Sequence, residues 1–152
     1  MIFQRLTRSD PERVFLVVQA NDALAIDDAC CWELASASID GVKVRQPDTG
    51  QLYAFVGLAD AAISANAYGL VQVYGYRSTS RVFQTDTSQS TGVALVPTAG
   101  QVYLQSVATT IQVSSTVATT VTLQPIYAVL GETISNSAAS ATITAKLFVR
   151  AL

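Results

Sequence analysis

Between Val107 and Gln124 the chain alternates residue by residue. Odd positions carry Val107, Ile111, Val113, Val117, Val121 and Leu123, while even positions carry Gln112, Ser114, Thr116, Thr120, Thr122 and Gln124. A period of two places one side of an extended chain in a core and the other in water, so the pattern predicts β-structure. The stretch is longer than an ordinary strand, and a turn or bulge near Ser114-Ser115 is expected to fold it into a hairpin. The same alternation returns at Ala141, Ile143, Ala145, Leu147 and Val149, which predicts a last strand that closes the sheet. Val14-Phe15-Leu16-Val17-Val18 is different, because every position is apolar. Short and β-branched, it fits a strand covered on both faces, with a subunit interface supplying the second cover.

The centre of the chain reads as a β-hairpin. Leu52 to Ala59 and Gly69 to Tyr76 are rich in aromatic and branched apolar residues, and small and polar residues separate them from Asp60 to Ala67. Gly57, Gly69 and Gly75 are expected where strands begin, end or pass close to another backbone. Tyr68, Tyr74 and Tyr76 suit cross-strand packing.

Shorter elements fill the remainder. Asn21-Asp22 turns the chain before a strand from Ala29 to Leu34, and Asp40-Gly41 is a hairpin signal ahead of Val42 to Arg45. Pro47 and Gly50 break that strand. Arg77 to Arg81 is expected to leave the hairpin, and Thr85 to Gly92 to form an exposed loop. Val93 to Val96 is a strand stopped at Pro97, and Gly100 turns the chain into Val102 to Leu104. Ile126 to Leu130 is a strand, and 131–140 a turn-rich connection. Strands and turns at this spacing predict an all-β fold, a single β-sandwich or small β-barrel over residues 12–152 preceded by an N-terminal arm over residues 1–11.

Composition narrows the role. A chain of 152 residues is long enough for one domain that buries roughly 68–70% of its unfolded surface. Charged residues make up 13%, about half the ~25% usual for a soluble domain, and the mean hydropathy is +0.36. Such a chain is expected to expose apolar surface as a monomer and therefore to associate. The net charge of −2 argues against a basic face that grips nucleic acid. There is no run of 18 apolar residues and no continuous apolar core near Met1 of the kind a secretory signal needs, so no membrane partner is expected and the chain reads as cytoplasmic until it assembles.

Reactive chemistry is sparse. With no histidine in the sequence, Ser/His and Cys/His nucleophile systems are ruled out. Cys30 and Cys31 are adjacent, where a disulfide would be strained, and read as free thiols buried as small hydrophobes, with at most one turned outward. No second cysteine pair exists to complete a tetrahedral metal site, and neither metal nor cofactor is expected. Asp27, Asp28 and Glu33 form the tightest acidic group, the residue type that divides acid and base roles in glycoside cleavage, but adjacent aspartates before a strand more often form solvated turns. The chain does not read as an enzyme.

Three segments carry a family likeness. The pattern Gly-Leu-Ala-x-Ala-Ala-Ile-x-Ala-x-Ala-Tyr-Gly-Leu-Val-Gln-Val-Tyr-Gly-Tyr at 57–76, the opening segment Glu12 to Gln19 with Asp28 to Trp32, and the closing segment Ala145 to Leu152 resemble small structural proteins encoded in tailed-bacteriophage head-gene clusters. The segment Pro97 to Leu104 adds to this. The resemblance implies a capsid decoration, or cement, protein: a β-rich homotrimer bound to the outer surface of the phage major capsid protein shell, assembled in the host cytoplasm and carried on the virion. On that reading Val14, Phe15, Leu16 and Tyr74 are candidates for the subunit interface, and Arg5 and Arg8 in the arm for the capsid-facing surface. The alternative is a phage tail or fibre-associated carbohydrate-binding module, with exposed tyrosines stacking on sugars.

Overall fold

The computed structural model describes residues 12–34, 41–106, 127–135 and 139–151. Within them lie eleven strands and no α-helix: β1 Arg13–Ala20, β2 Ala29–Trp32, β3 Lys43–Arg45, β4 Phe55–Ala59, β5 Tyr68–Gln84, β6 Ser88–Gln89, β7 Ala94–Val96, β8 Leu104–Ser106, β9 Ala128–Leu130, β10 Ile134–Ser135 and β11 Ala141–Arg150. The protein is all-β, as its alternation predicts. A short 3-10 turn, Leu52–Ala54, leads into β4 where the sequence suggested continuous strand. The predicted arm over 1–11, including Arg5 and Arg8, and the alternating stretch 107–124 lie outside the described residues.

The 17-residue β5 is the spine of the molecule. Nine strands form one mixed sheet in the order β1-β3-β2-β4-β5-β11-β9-β7-β8, and further pairings join β1 to β5 and β5 to β8. Those two pairings close the sheet into two rings, β1-β3-β2-β4-β5 and β5-β11-β9-β7-β8, which share β5. Most neighbours are antiparallel, but β1 with β3 and β5 with β8 run parallel. Closure removes most of the open edges that a flat sheet would leave.

Each ring has its own apolar cluster. Val18, Ala20, Val44, Val56, Val71 and Val73 fill the first, whereas Val82, Leu95, Leu104, Leu130, Leu147 and Val149 anchor the second. The β2–β4 ladder is the wall between them. Along β2, alternation sends Cys30 into the first cluster and Ala29 and Cys31 into the second, and a register shift at Val56 lets β4 place Val56 and Ala59 with the first and Phe55 and Leu58 with the second. Both cysteines are therefore fully buried and free, on opposite sides of one strand, and neither turns outward.

The central hairpin is present, with Leu58 opposite Gln72 and Ala59 opposite Val71. Its connecting loop has a matched counterpart between β1 and β2. Leu24 and Ile63 bridge each other through reciprocal N–H···O bonds of 2.9 Å, Asp27 N donates to Ala59 O, and Asn66 N donates to Ala20 O. Asp27 and Asn66 hold the same place in their loops, and both have positive φ, 71° and 63°. Asp and Asn tolerate that left-handed conformation better than other non-glycine residues. Two of the central glycines mark close backbone approaches: a Cβ on Gly57 would lie 2.2 Å from Gln72 O, and one on Gly75 would lie 2.0 Å from Glu12 O.

Two sequence expectations are revised. Arg77 to Arg81 lies beyond the hairpin but remains strand, because β5 continues to Gln84 and pairs with β11 along that length. The polar segment from Thr85 to Gly92 contains β6, which pairs with β10, and Gln89 within it is buried.

Candidate functional site

The acidic group of the sequence does not form an open site. Asp27, Asp28 and Glu33 are all buried, contrary to the solvated turn expected of them, and each is taken up by donors from a different part of the chain. Arg77 on β5 donates from Nη2 (2.7 Å) and Nε (3.2 Å) to Asp27 Oδ1, and Ser80 Oγ adds a third donor at 3.2 Å. The remaining guanidinium nitrogen of Arg77 reaches Asp60 Oδ1 and Gln72 Oε1, both at 3.3 Å. Arg81 flanks the other oxygen, with Nε 3.6 Å from Asp27 Oδ2, and lies 4.7 Å over the Tyr103 ring. Asp28 Oδ2 accepts from Ala25 N at 2.9 Å and Gln46 Nε2 at 2.8 Å. Glu33 accepts from Arg45 Nη1 at 3.2 Å and Gln51 Nε2 at 3.0 Å.

These contacts explain how the carboxylates come to be buried. A carboxylate removed from water is tolerated when charge-assisted donors replace its hydration. These hydrogen bonds occupy one oxygen each of Asp27 and Asp28 and both oxygens of Glu33. Among the described residues no group of three or more His, Cys, Asp or Glu is placed to hold a metal ion. No helix there is long and apolar enough to cross a membrane. Burial pushes both thiols well above the ordinary cysteine range, Cys31 to about 12, so neither is a thiolate nucleophile near neutral pH.

The uncovered surface lies on β1. Val14, Phe15 and Leu16 are 37–38% exposed and Val17 is 61% exposed, a run of four adjacent apolar side chains facing solvent. The strand pairs with β5 along its whole length, whereas on its other side β3 meets only Gln19 and Ala20. From Arg13 to Val18 that second edge has no strand partner among the described residues. Leu16, opposite the buried Val71, points along the first cluster but sits beyond its covered part, and Val18 is the first β1 residue fully enclosed. Phe15 and Val17 take the outer face, where Val17 lies directly opposite Leu70, and Tyr68 lies two residues along β5 from Leu70.

Comparison with protein-family models finds no match for this chain, and comparison with curated proteins finds none either.

Of the four residues singled out as interface candidates, Val14, Phe15 and Tyr74 share the outer face, and Leu16, opposite Val71, lies on the other. Val14 is paired with Tyr74 across the β1–β5 ladder, next to a register shift between Val14 and Phe15. Tyr74 is half-buried and meets Phe148 edge-on, with ring centroids 5.1 Å apart. Arg13 stands 5.9 Å over the Phe15 ring and is the charge nearest the run. The sequence reading placed Val17 in the run a subunit interface would cover but not among the four named candidates, and it did not single out Leu70 or Tyr68 for this surface; these three are its most exposed apolar members. The signal for Val17 was present in the unbroken apolar run, but the exposure of Leu70 and Tyr68 depends on which side of β5 faces β1, and that is set by register. It also missed Arg77 as the partner of Asp27, a pair separated by fifty positions.

Proposed function

We propose that this chain is a structural subunit of a tailed-bacteriophage head: a decoration protein that binds the outer surface of the major capsid protein shell as a homotrimer and stabilises the mature particle. The observation that carries the proposal is the uncovered β1 surface, four consecutive apolar residues on a strand with one open side, in a chain with few charges. A monomer gains nothing by leaving such a strand in water, and an assembling subunit gains a contact. The likeness at residues 57–76 supports the phage assignment, and the donors wrapped around Asp27, Asp28 and Glu33 give those residues a structural role.

The mechanism is mechanical. A subunit that binds the expanded shell and not its dissociated parts lowers the free energy of the closed state by mass action. Trimeric binding multiplies a modest contact through effective concentration. The test is addition of the purified protein to expanded capsids lacking it. Co-sedimentation at saturating stoichiometry together with a rise in the temperature of capsid disruption is expected; no binding to the shell would remove the proposal. Tyr53 and Tyr68, both strongly exposed, favour the carbohydrate-binding module as the second reading, and binding to host surface glycans without binding to capsids would select it.

A further inference from the structure

The matched loops of the first ring belong to a larger correspondence. Leu24 and Ile63 exchange hydrogen bonds, Ala20 N donates to Ala67 O as Ala59 N donates to Asp28 O, and Asn66 N donates to Ala20 O as Asp27 N donates to Ala59 O. The members of each such pair are related by a shift of 39 positions, which takes Ala20 to Ala59 and Asp28 to Ala67. The strands obey the same rule. Gln19 opposite Tyr68 and Val18 opposite Gly69 in the β1–β5 ladder correspond to Leu58 opposite Ala29 and Gly57 opposite Cys30 in the β4–β2 ladder, up to the register shift after Cys30. β1-loop-β2 and β4-loop-β5 are therefore two structural copies of one unit, related by a local twofold through the Leu24–Ile63 bridge.

The correspondence fails at one place. β4 pairs directly with β5, with Leu58 opposite Gln72 and Ala59 opposite Val71. The equivalent pairs of the first unit, Gln19 with Glu33 and Ala20 with Trp32, are held apart by β3. Val44 lies opposite both Ala20 and Trp32, and Lys43, opposite Gln19, accepts from Glu33 N through its carbonyl. The chemistry differs at the same place. Glu33 accepts from Arg45 Nη1 at 3.2 Å and Asp28 from Gln46 Nε2 at 2.8 Å, whereas the second unit, which receives no extra strand, carries Gln72 and Ala67 at those positions. The acidic anchors occur where the extra strand docks.

We infer that β3 is a strap inserted into a ring that can close without it. In the strap-free form β1 pairs directly with β2 in the register that β4 and β5 use, while the loop clasp and the remaining ladders stay in place. The directions agree, because β1 runs parallel to β3 and β3 antiparallel to β2, so β1 and β2 are already antiparallel. Val44 is fully buried, which makes the strapped form the ground state. The strap is nevertheless lightly held. It is three residues long and shares two residue pairs with each neighbour, and its anchor Arg45 is 29% exposed, where salt weakens the attraction to Glu33. Cys31 opposite Phe55 also sets the ends of β2 and β4 side by side, so a short turn spans them in place of β3.

Amide hydrogen exchange on the full chain tests this. The clasp is reported by the amides of Ala20, Leu24, Ala59 and Ile63, and the strap by those of Val44 and Arg45. Gln19 and Asn21 are the deciding pair: their amides donate to Val42 O and Val44 O, and they change partner from β3 to β2 when the strap leaves. Val44 and Arg45 are expected to exchange at least tenfold faster than the clasp amides, with Gln19 and Asn21 protected alongside the clasp. Arg45→Met should speed exchange at Val44 by a further tenfold and leave the clasp unchanged. A second variant removes the strap, with residues 35–50 replaced by a short Gly-Ser turn and Asp28→Ala and Glu33→Gln introducing the residues of the second unit. It is expected to fold cooperatively with Gln19 and Asn21 protected. Strap and clasp amides exchanging together in the wild type, Gln19 and Asn21 released along with β3, or a strapless chain that does not fold would each overturn the inference, because the ring would then need β3 to close.

Discussion

Asp27 carries two demands that are usually met by different residues. Its backbone is left-handed, with φ of 71°, and its carboxylate is the buried anchor of Arg77, Ser80 and Arg81. Asn66 occupies the matching loop position with the same backbone but is exposed, so the two sites separate conformation from charge. Asp27→Asn keeps tolerance of the left-handed region and one acceptor oxygen but leaves Arg77 with the half-exposed Asp60 as its remaining ion-pair partner. Breaking a buried pair from one side costs about 3–5 kcal/mol when nothing compensates; with Asp60 and the retained acceptor, a loss of about 2–4 kcal/mol in urea unfolding is expected. Asn66→Ala should lose only the conformational part, about 1 kcal/mol. An Asp27→Asn variant as stable as the wild type would show that the ion pair contributes nothing. The sequence placed Asp27 and Asp28 in a turn but not in the interior, because a turn former and a buried anchor use the same residue type, and only the fifty-residue separation from Arg77 closed by the fold tells them apart.

At the scale of elements, legibility followed periodicity. β1, β2, β3, β7, β9 and β11 all lie where apolar alternation or an apolar run predicts them, and the inward face of β11 holds Ala145, Leu147 and Val149 as read. The second half of β5 was not legible. Arg77-Ser78-Thr79-Ser80 has the composition of a loop, yet Arg77 and Ser80 face inward to Asp27, and a polar interior erases the hydrophobic signal. β6 and β10 are two residues each, too short to show a period. The pairings that close the rings, antiparallel between β1 and β5 and parallel between β5 and β8, join residues far apart in sequence and leave no local trace. Gly75 was legible as a close approach, and it fixes where β1 begins to lie against β5. An alanine there would have its Cβ 2.0 Å from Glu12 O and 3.0 Å from Arg13 Cα, at a φ of 107°. Both obstacles are backbone, so β1 must shift. Gly75→Ala is expected to destabilise by about 2–4 kcal/mol from strain and overpacking together. Gly50→Ala, with nothing within 4 Å of its Cβ, should change stability by about 0.5 kcal/mol or less. An unaltered Gly75→Ala protein would mean that β1 is not held this closely.

At the scale of the whole molecule, the wall shared by the two rings makes a statement about cooperativity. β2 is buried on both sides, so neither apolar cluster can open without exposing a face of the strand that closes the other. The adjacent thiols report on this, because Cys30 faces one cluster and Cys31 the other. Burial raises both above the ordinary value of 9.0, Cys31 to about 12. Below 9.0 both thiols are protonated whether the chain is folded or not, and they give no pH dependence. Above it the unfolded chain releases protons that the folded chain keeps, so stability falls as pH rises, by about 1.4 kcal/mol per pH unit for each thiol while its folded form stays protonated. Unfolding of the wild type between pH 9 and 11 is therefore expected to lose stability faster than unfolding of a Cys30→Ala, Cys31→Ala double variant, whose remaining slope comes from other groups. If the rings unfold as one unit, each single variant removes about half of the extra slope from a single transition. Two separate transitions, each sensitive to one thiol, would show that the wall does not couple the rings.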